Sequence, residues 1–269
     1  MKYIVYKGTG GLFHNFRGCE RAIQLSIQHD MSLIIDMQCH TGWGRFNDNF
    51  TVQSDDLIYY DDYETVPEHV KKFESGSAHK YGYSGRNSNY NIDLVKDVNV
   101  VYGTMSSKSF FKNLSLESIK VNEDYFDKIK SNNPPSDEKY IAAHFRNTDR
   151  KNNIKQFYDK IHTAVKKHDI HTLYLATDDS EAKIKIQKQF PRLKLIQKAN
   201  PPSGVKNVHY NHPDAETQMF ECVQDLYNIF TSDVFIPCMN SGFSYGTVSM
   251  IEQGYTLFPG LISNTIVEC

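Results

Sequence analysis

The chain has 269 residues, 39% of them hydrophobic and 23% charged, enough to bury one large core or two modest ones. Thirty Lys and Arg against 32 Asp and Glu leave a formal charge of -2, which excludes the basic footprint of a protein that binds nucleic acid or an anionic membrane. No run approaches the roughly 20 apolar residues of a membrane span, and the opening MKYIVYKGTG reaches glycine too early for a signal peptide, so a cytoplasmic protein without a membrane span is expected. Cys19, Cys39, Cys222, Cys238 and Cys269 lie far apart with no Cys-x-x-Cys pair; free thiols are expected, not a disulfide framework or a metal cluster.

The first apolar run, residues 3–6, reads as a strand; a glycine turn and a helix carrying Phe16, Cys19, Ile23 and Ile27 follow, then a strand over 33–37. From about 38 to 131 the chain is rich in Tyr, Asp, Asn and Ser with weak periodicity, and only 99–102 suggests a strand. Ser-Asn-Asn-Pro-Pro-Ser at 131–136 combines turn formers with two prolines and marks the expected boundary between domains 1–135 and 136–269. Beyond it the pattern is regular. Strands are expected at 140–145, 172–176, 193–196, near Val208 and at 234–237, with helices carrying Ile154, Phe157, Ile161, Ala164 and Val165, then spanning about 180–190, then carrying Met219, Cys222, Val223, Leu226, Tyr227 and Phe230. Strands alternating with helices imply a parallel sheet covered on both faces.

In such sheets ligands bind beyond the carboxyl ends of the strands, where loops and helix N-termini converge. Three polar clusters occupy those positions: His144-Phe-Arg146-Asn-Thr-Asp149-Arg150, Thr177-Asp178-Asp179, and Asn240-Ser241-Gly242-Phe243-Ser244. Together they suit a nucleotide diphosphate, because a guanidinium pairs with phosphate oxygens bidentately and keeps its charge. Each residue also has a plainer reading: Arg146 as an ion-pair partner of Asp149, Asp178 in a helix capping box with Glu181, Ser241 and Ser244 as turn or cap residues, His144 as a satisfied core histidine. The glycine turn, Gly8-Thr-Gly10-Gly11-Leu-Phe13, fits neither the dinucleotide fingerprint nor a P-loop. It still lets a ligand approach the backbone, with His14, Asn15 and Arg17 next in line. No Asp-x-Asp triplet is present, so positive side chains are expected where many sugar transferases use a metal.

The motifs Gly10-Gly-Leu-Phe-His-Asn-Phe-Arg-Gly18, His144-Phe-Arg-Asn-Thr-Asp-Arg150, Ala176-Thr-Asp-Asp179 and Ser241-Gly-Phe-Ser244 resemble the fucosyltransferase superfamily, which includes the α1,6- and nodulation-type, α1,2- and protein O-fucosyltransferases. The resemblance covers about the first 36 residues and most of 139–250. It implies an α/β protein of GT-B type, two Rossmann-like domains facing a cleft, with the acceptor side in 1–135 and GDP-fucose in 136–269. It implies inverting, metal-independent transfer to a glycan acceptor with no cofactor beyond the donor. By the same resemblance Arg146 would hold the β-phosphate, Ser241 and Phe243 would lie at the phosphates, and His144 and Asp178 at the nucleoside. Asp225 would contact the nucleotide, although its place on a helix also allows an ordinary solvated role. Gly10, Gly11, Asn15, Arg150, Thr177, Gly242 and Ser244 complete the expected donor site.

One departure is informative. The α1,6-type relatives carry a catalytic glutamate a few residues after the arginine motif, and here that position is Ile154. Asp149, Asp36 and His40 remain as candidate bases, with Asp36 equally readable as a cap and His40 as a loop residue. The alternatives are a transferase using another nucleotide sugar such as GDP-mannose and a catalytically inactive glycan-binding protein of the same fold.

Overall fold

The computed structural model describes residues 3–7, 11–36, 45–54, 57, 59–60, 100–103, 116–133, 137–147, 152–201, 214–238 and 240–268. The chain forms two compact units, Met1–Asn122 and Glu123–Cys269. In the first, β1 (Tyr3–Lys7), α1 (Leu12–His29) and β2 (Ser32–Asp36) are followed by α2 (Phe46–Asn49), β3 (Phe50–Val52), β4 (Tyr59–Tyr60), β5 (Val100–Gly103) and β6 (Ile119–Val121). A parallel sheet runs β4-β2-β1-β5, and β3 pairs with β6 in a separate antiparallel ribbon. Helix α1 starts directly after Gly11 and buries Leu12, Phe13, Phe16, Cys19 and Ile23, whereas Ile27, expected on the same stripe, is 44% exposed. Gly18 on that helix is required by packing: a Cβ there would lie 2.5 Å from the ring of Tyr6.

The second unit comprises α3 (Glu123–Asn132), β7 (Ile141–Phe145), α4 (Ile154–His168), β8 (Thr172–Thr177), α5 (Ala182–Gln189), β9 (Lys194–Ile196), α6 (Ala215–Phe230), β10 (Val234–Ile236), α7 (Gly242–Glu252) and β11 (Ile266–Val267). Its five strands are all parallel, in the order β11-β10-β7-β8-β9. The units divide earlier than the Pro-Pro segment suggests, because α3 packs with the second unit: Tyr125 meets Phe220 edge-on at 5.7 Å and Phe126 meets Tyr227 at 6.0 Å. No apolar periodicity long enough to announce that ten-residue helix precedes the prolines.

Alternation along β7 and β8 sorts the second core into two layers. Ile141, Ala143, Phe145, Leu173 and Leu175 join Phe157, Ile161 and Ala164 of α4 and Ala182 and Ile186 of α5. On the other face Ala142, Tyr174 and Ala176 join Ile229 of α6, Phe235 of β10 and Val248 of α7. Each fully buried large side chain in these layers contributes about 1.5–3 kcal/mol by the usual area relation. Both faces are covered, as the β/α alternation requires. The strand expected near Val208 lies outside the described residues.

Candidate functional site

In the second sheet β7, β8 and β9 proceed in one direction while β10 is laid down on the opposite side of β7. That reversal makes the carboxyl ends of β7 and β10 the topological switch point, where open parallel sheets leave a crevice. A cavity of about 100 Å³ opens there, lined by His144, Arg146, Thr177, Asp178, Asp225 and Phe243, with Ala199, Pro201, Gln218, Glu221 and Cys222 completing its wall.

His144 stands on the α6/α7 face of β7 and is buried. Its Nδ1 lies 2.6 Å from the Ser244 hydroxyl, which also accepts the Cys238 N–H at 2.8 Å. The hydroxyl oxygen has a second lone pair, so either atom of the His144–Ser244 pair can donate the shared proton. Burial, then the charge of Arg146, pushes the imidazole down to about 3, so it is neutral at physiological pH. The ring packs against Phe243 with centroids 4.9 Å apart.

Arg146 follows directly after β7. Its Nε lies 3.8 Å from Asp178 Oδ2, both side chains retaining 16–19% exposure at the cavity. Asp178 Oδ1 accepts the Asn147 N–H at 2.8 Å, and Asn147 donates its side-chain amide to Asp179 at 2.8 Å. The turn is tied down further by Asn152, which donates to the Arg146 carbonyl and accepts from Asn240 at 3.0 Å. Asp178 therefore does not cap α5. The carboxylate that accepts a backbone N–H at that helix start is Asp179, from Glu181 at 2.9 Å, while Thr177 bonds the Phe145 carbonyl at 2.6 Å and ties β8 to β7. Ser241, by contrast, is the N-cap of α7, accepting from the Phe243 N–H at 3.2 Å. A Cβ added to Gly242 meets nothing within 4 Å, so that glycine fronts open space.

Asp225 on α6 is buried, not solvated: it is 8% exposed and accepts a 2.7 Å hydrogen bond from Tyr174. Burial pushes its carboxyl up to about 8, opposed by the Tyr174 bond and reinforced by Glu221. Tyr174, Glu221 and Asn152 are participants the motifs did not indicate, and Asn147 figures there only as part of the arginine motif. Tyr174 left one signal, a phenol inside the otherwise apolar central strand TLYLAT, where a buried hydroxyl has to find a partner.

The expected residues of the first unit are placed differently. Asn15 has no exposed surface, and the Tyr6 hydroxyl donates to its carbonyl at 2.8 Å. Gly11 precedes α1, and a Cβ there meets nothing within 4 Å. Asp36 ends β2. Gly10, His40, Asp149 and Arg150 lie outside the described residues. Ile154 opens α4 and packs against the adjoining core.

A larger cavity, about 540 Å³, lies at the amino ends of β7 and β10. Asp137, Glu138 and Asp233 line it with Lys139 and His168, Glu138 is already paired with Lys194, and α4 points its C-terminal, electronegative end there. A phosphate is disfavoured at that pole. At the carboxyl-end site a fixed cation, a neutral imidazole, a flat aromatic ring and buried carboxyl groups converge, a set suited to an anion attached to a planar base.

The fold these sheets define is that of the fucosyltransferases. A NodZ α-1,6-fucosyltransferase structure soaked with GDP-fucose matches with a TM-score of 0.58 at 12% identity, covering 92% of each chain; NodZ structures from Bradyrhizobium match similarly. POFUT1 in complex with GDP-fucose matches with a TM-score of 0.61 at 12% identity, over 99% of this chain and 97% of that one. An Arabidopsis thaliana FUT1 mutant in complex with GDP matches with a TM-score of 0.53 at 11% identity, over 94% and 69% of the two chains. No family model and no curated sequence matches this chain.

Proposed function

We propose that this protein is a glycosyltransferase that moves fucose from GDP-fucose to a saccharide hydroxyl, with inversion and without a metal ion. The observation that carries the reading is the convergence of Arg146, His144, Asp178 and Asp225 on one cavity at the switch point of a sheet whose fold is shared with GDP- and GDP-fucose-bound fucosyltransferases. The GT-B arrangement of two Rossmann-like domains belongs to the same proposal, with the acceptor held by the N-terminal part and the donor by the C-terminal part.

In this reading the acceptor oxygen attacks the anomeric carbon from the face opposite GDP. The new C–O bond forms as the bond to the β-phosphate oxygen breaks, and the electron pair leaves with GDP. Negative charge grows on the diphosphate through an oxocarbenium-like transition state, so Arg146, held beside Asp178 and therefore already oriented, acts most strongly when that charge is largest. Neutral His144 lines the same cavity, and the N-terminus of α7 offers N–H donors there. Ile154 is apolar and cannot take the acceptor proton, and Asp149 and Asp36 are the carboxylates proposed for it.

Ile154 is also the observation that favours a second reading, an inactive glycan-binding protein that keeps the nucleotide site. GDP release from GDP-fucose, measured against a panel of saccharide acceptors with and without EDTA, separates the two. Acceptor-dependent release unaffected by EDTA is expected. GDP binding without turnover of any acceptor supports the inactive reading, preferential turnover of GDP-mannose moves the donor assignment, and strict EDTA sensitivity overturns metal independence.

A further inference from the structure

We infer that Asn152 is a positioning residue for the diphosphate: its amide bridges the Arg146 carbonyl to Asn240, the residue before the N-cap of α7, so that the guanidinium and the N-terminus of α7 are presented as one fixed pair. That role rests on the reading of the donor as a GDP-sugar.

A side-chain amide can donate through its nitrogen while its oxygen accepts, and Asn152 uses both ends. Nδ2 donates to the Arg146 carbonyl oxygen, and Oδ1 accepts from Asn240 Nδ2 at 3.0 Å. Its backbone is held by a helix. The next residue, Asn153, is the N-cap of α4 and accepts the Lys155 N–H at 3.0 Å, and α4 is seated on β7 through Phe157 against Phe145, with ring centroids 4.8 Å apart. At the far end of the bridge, Asn240 is followed directly by Ser241, whose N–H donates to the Cys238 carbonyl at 2.9 Å and whose hydroxyl caps α7. Three elements therefore meet at one amide: the end of β7, the start of α4 and the turn into α7.

The sheet order shows what the bridge adds. Asp178 beside the guanidinium, and Asp178 and Asp179 on Asn147, come from the end of β8, so they fix Arg146 toward one neighbour of β7. The N-terminus of α7 follows β10, the other neighbour. The ladder between β7 and β10 ends at Ala143 beside Ile236, short of both features. Beyond it the two sides are tied by His144 to Ser244 inside the fold and by Arg146, Asn152 and Asn240 at the rim. A diphosphate spreads its charge over two phosphates, and a cation and a helix N-terminus held at constant separation meet both without an ordering cost at the moment of binding.

The test is equilibrium titration of the full-length protein with GDP and GMP, which differ by the β-phosphate. Wild type should bind GDP more tightly than GMP. Asn152→Ala should lose about 3- to 10-fold in GDP affinity while its GMP affinity stays within about 2-fold of wild type. In an Arg146→Ala background the same substitution should change GDP affinity by less than about 2-fold, because the residue it acts through is gone. Asn240→Ala removes the far end of the bridge from an exposed position, so it should reproduce the loss of GDP affinity even if Asn152→Ala folds poorly. Equal losses for GDP and GMP, or a loss undiminished in the Arg146→Ala background, make Asn152 a staple of the fold alone and overturn the positioning role. Wild-type GDP affinity in both asparagine variants overturns it as well, leaving the donor assignment intact, whereas failure of wild type to bind GDP at all overturns the donor assignment itself.

Discussion

The two units are built to the same plan, a parallel sheet with a strand reversal beside its first strand, yet their buried ionisable groups lie in opposite places. In the second unit His144 on β7 and Asp225 on α6 both line the cavity at the carboxyl ends of the strands, each bonded to a hydroxyl from another element. In the first, Glu20 sits in the middle of α1, 2% exposed, and accepts a 2.8 Å bond from Ser118 just before β6. All three pay a desolvation penalty, visible as His144 pushed down to about 3, Asp225 up to about 8 and Glu20 up to about 7. A perturbed ionisation is thus common to both units and identifies a site only together with its position. In the second unit it lines the crevice at the strand ends; in the first it joins α1 to the β3–β6 ribbon.

Substitutions can break or sharpen that contrast. The largest effect is expected for Arg146→Ala in the second unit, roughly 3–4 kcal/mol of lost transition-state stabilisation or about 100- to 1,000-fold in kcat, with Arg146→Lys also poor because a point charge cannot reproduce the planar fork. Steady-state kinetics within a few-fold of wild type for either variant would remove the phosphate role. Next is Ser244→Ala, which strips a partner from both His144 and the Cys238 N–H; about 1–3 kcal/mol of stability should be lost, together with GDP affinity. Chemical denaturation and calorimetry on the same samples would show both losses, and a stability loss with full affinity would mark Ser244 as purely structural.

Gly18→Ala in the first unit drives a methyl group toward the Tyr6 ring and should destabilise by roughly 1–3 kcal/mol, leaving the affinity for GDP unchanged. A parallel loss of affinity would erase the contrast between units. The smallest effect on binding is expected for Glu20→Gln. Because the folded carboxyl is raised from 4.5 to about 7, the native state holds the extra proton between those values; the contribution is intact below about 4.5 and is lost as pH rises to 7. The glutamine variant should therefore gain melting temperature relative to wild type over that window. A constant difference across the window would show that Glu20 titrates normally.

Much of the second unit was legible because a buried strand and an amphipathic helix each impose a period on the sequence. Residues 141–145, 172–177 and 234–236 are apolar runs that emerge as the central strands, and the stripe from Met219 to Phe230 emerges as the inner face of α6. The short elements α3, β3, β6 and β11 carry too few residues to establish a period, and only their partners stabilise them. Among candidate site residues, Arg146 and His144 were readable from an unusual cluster of polar groups after a strand. Asp178 and Asp225 were not separable from a helix cap and a solvated helix face by residue type alone. Ser241 did prove to be a cap.

Local pattern set by itself which segments are strands and helices, and which polar residues fall at strand ends, since both depend on spacing along one stretch of chain. Tertiary structure alone decided that Tyr174 meets Asp225 across 51 positions and that Ser244 meets His144 across 100, because hydrogen bonds at such separation exist only once the sheet order is laid down. The same packing removes water from these groups, and desolvation is a property of the assembled surroundings that no single residue carries.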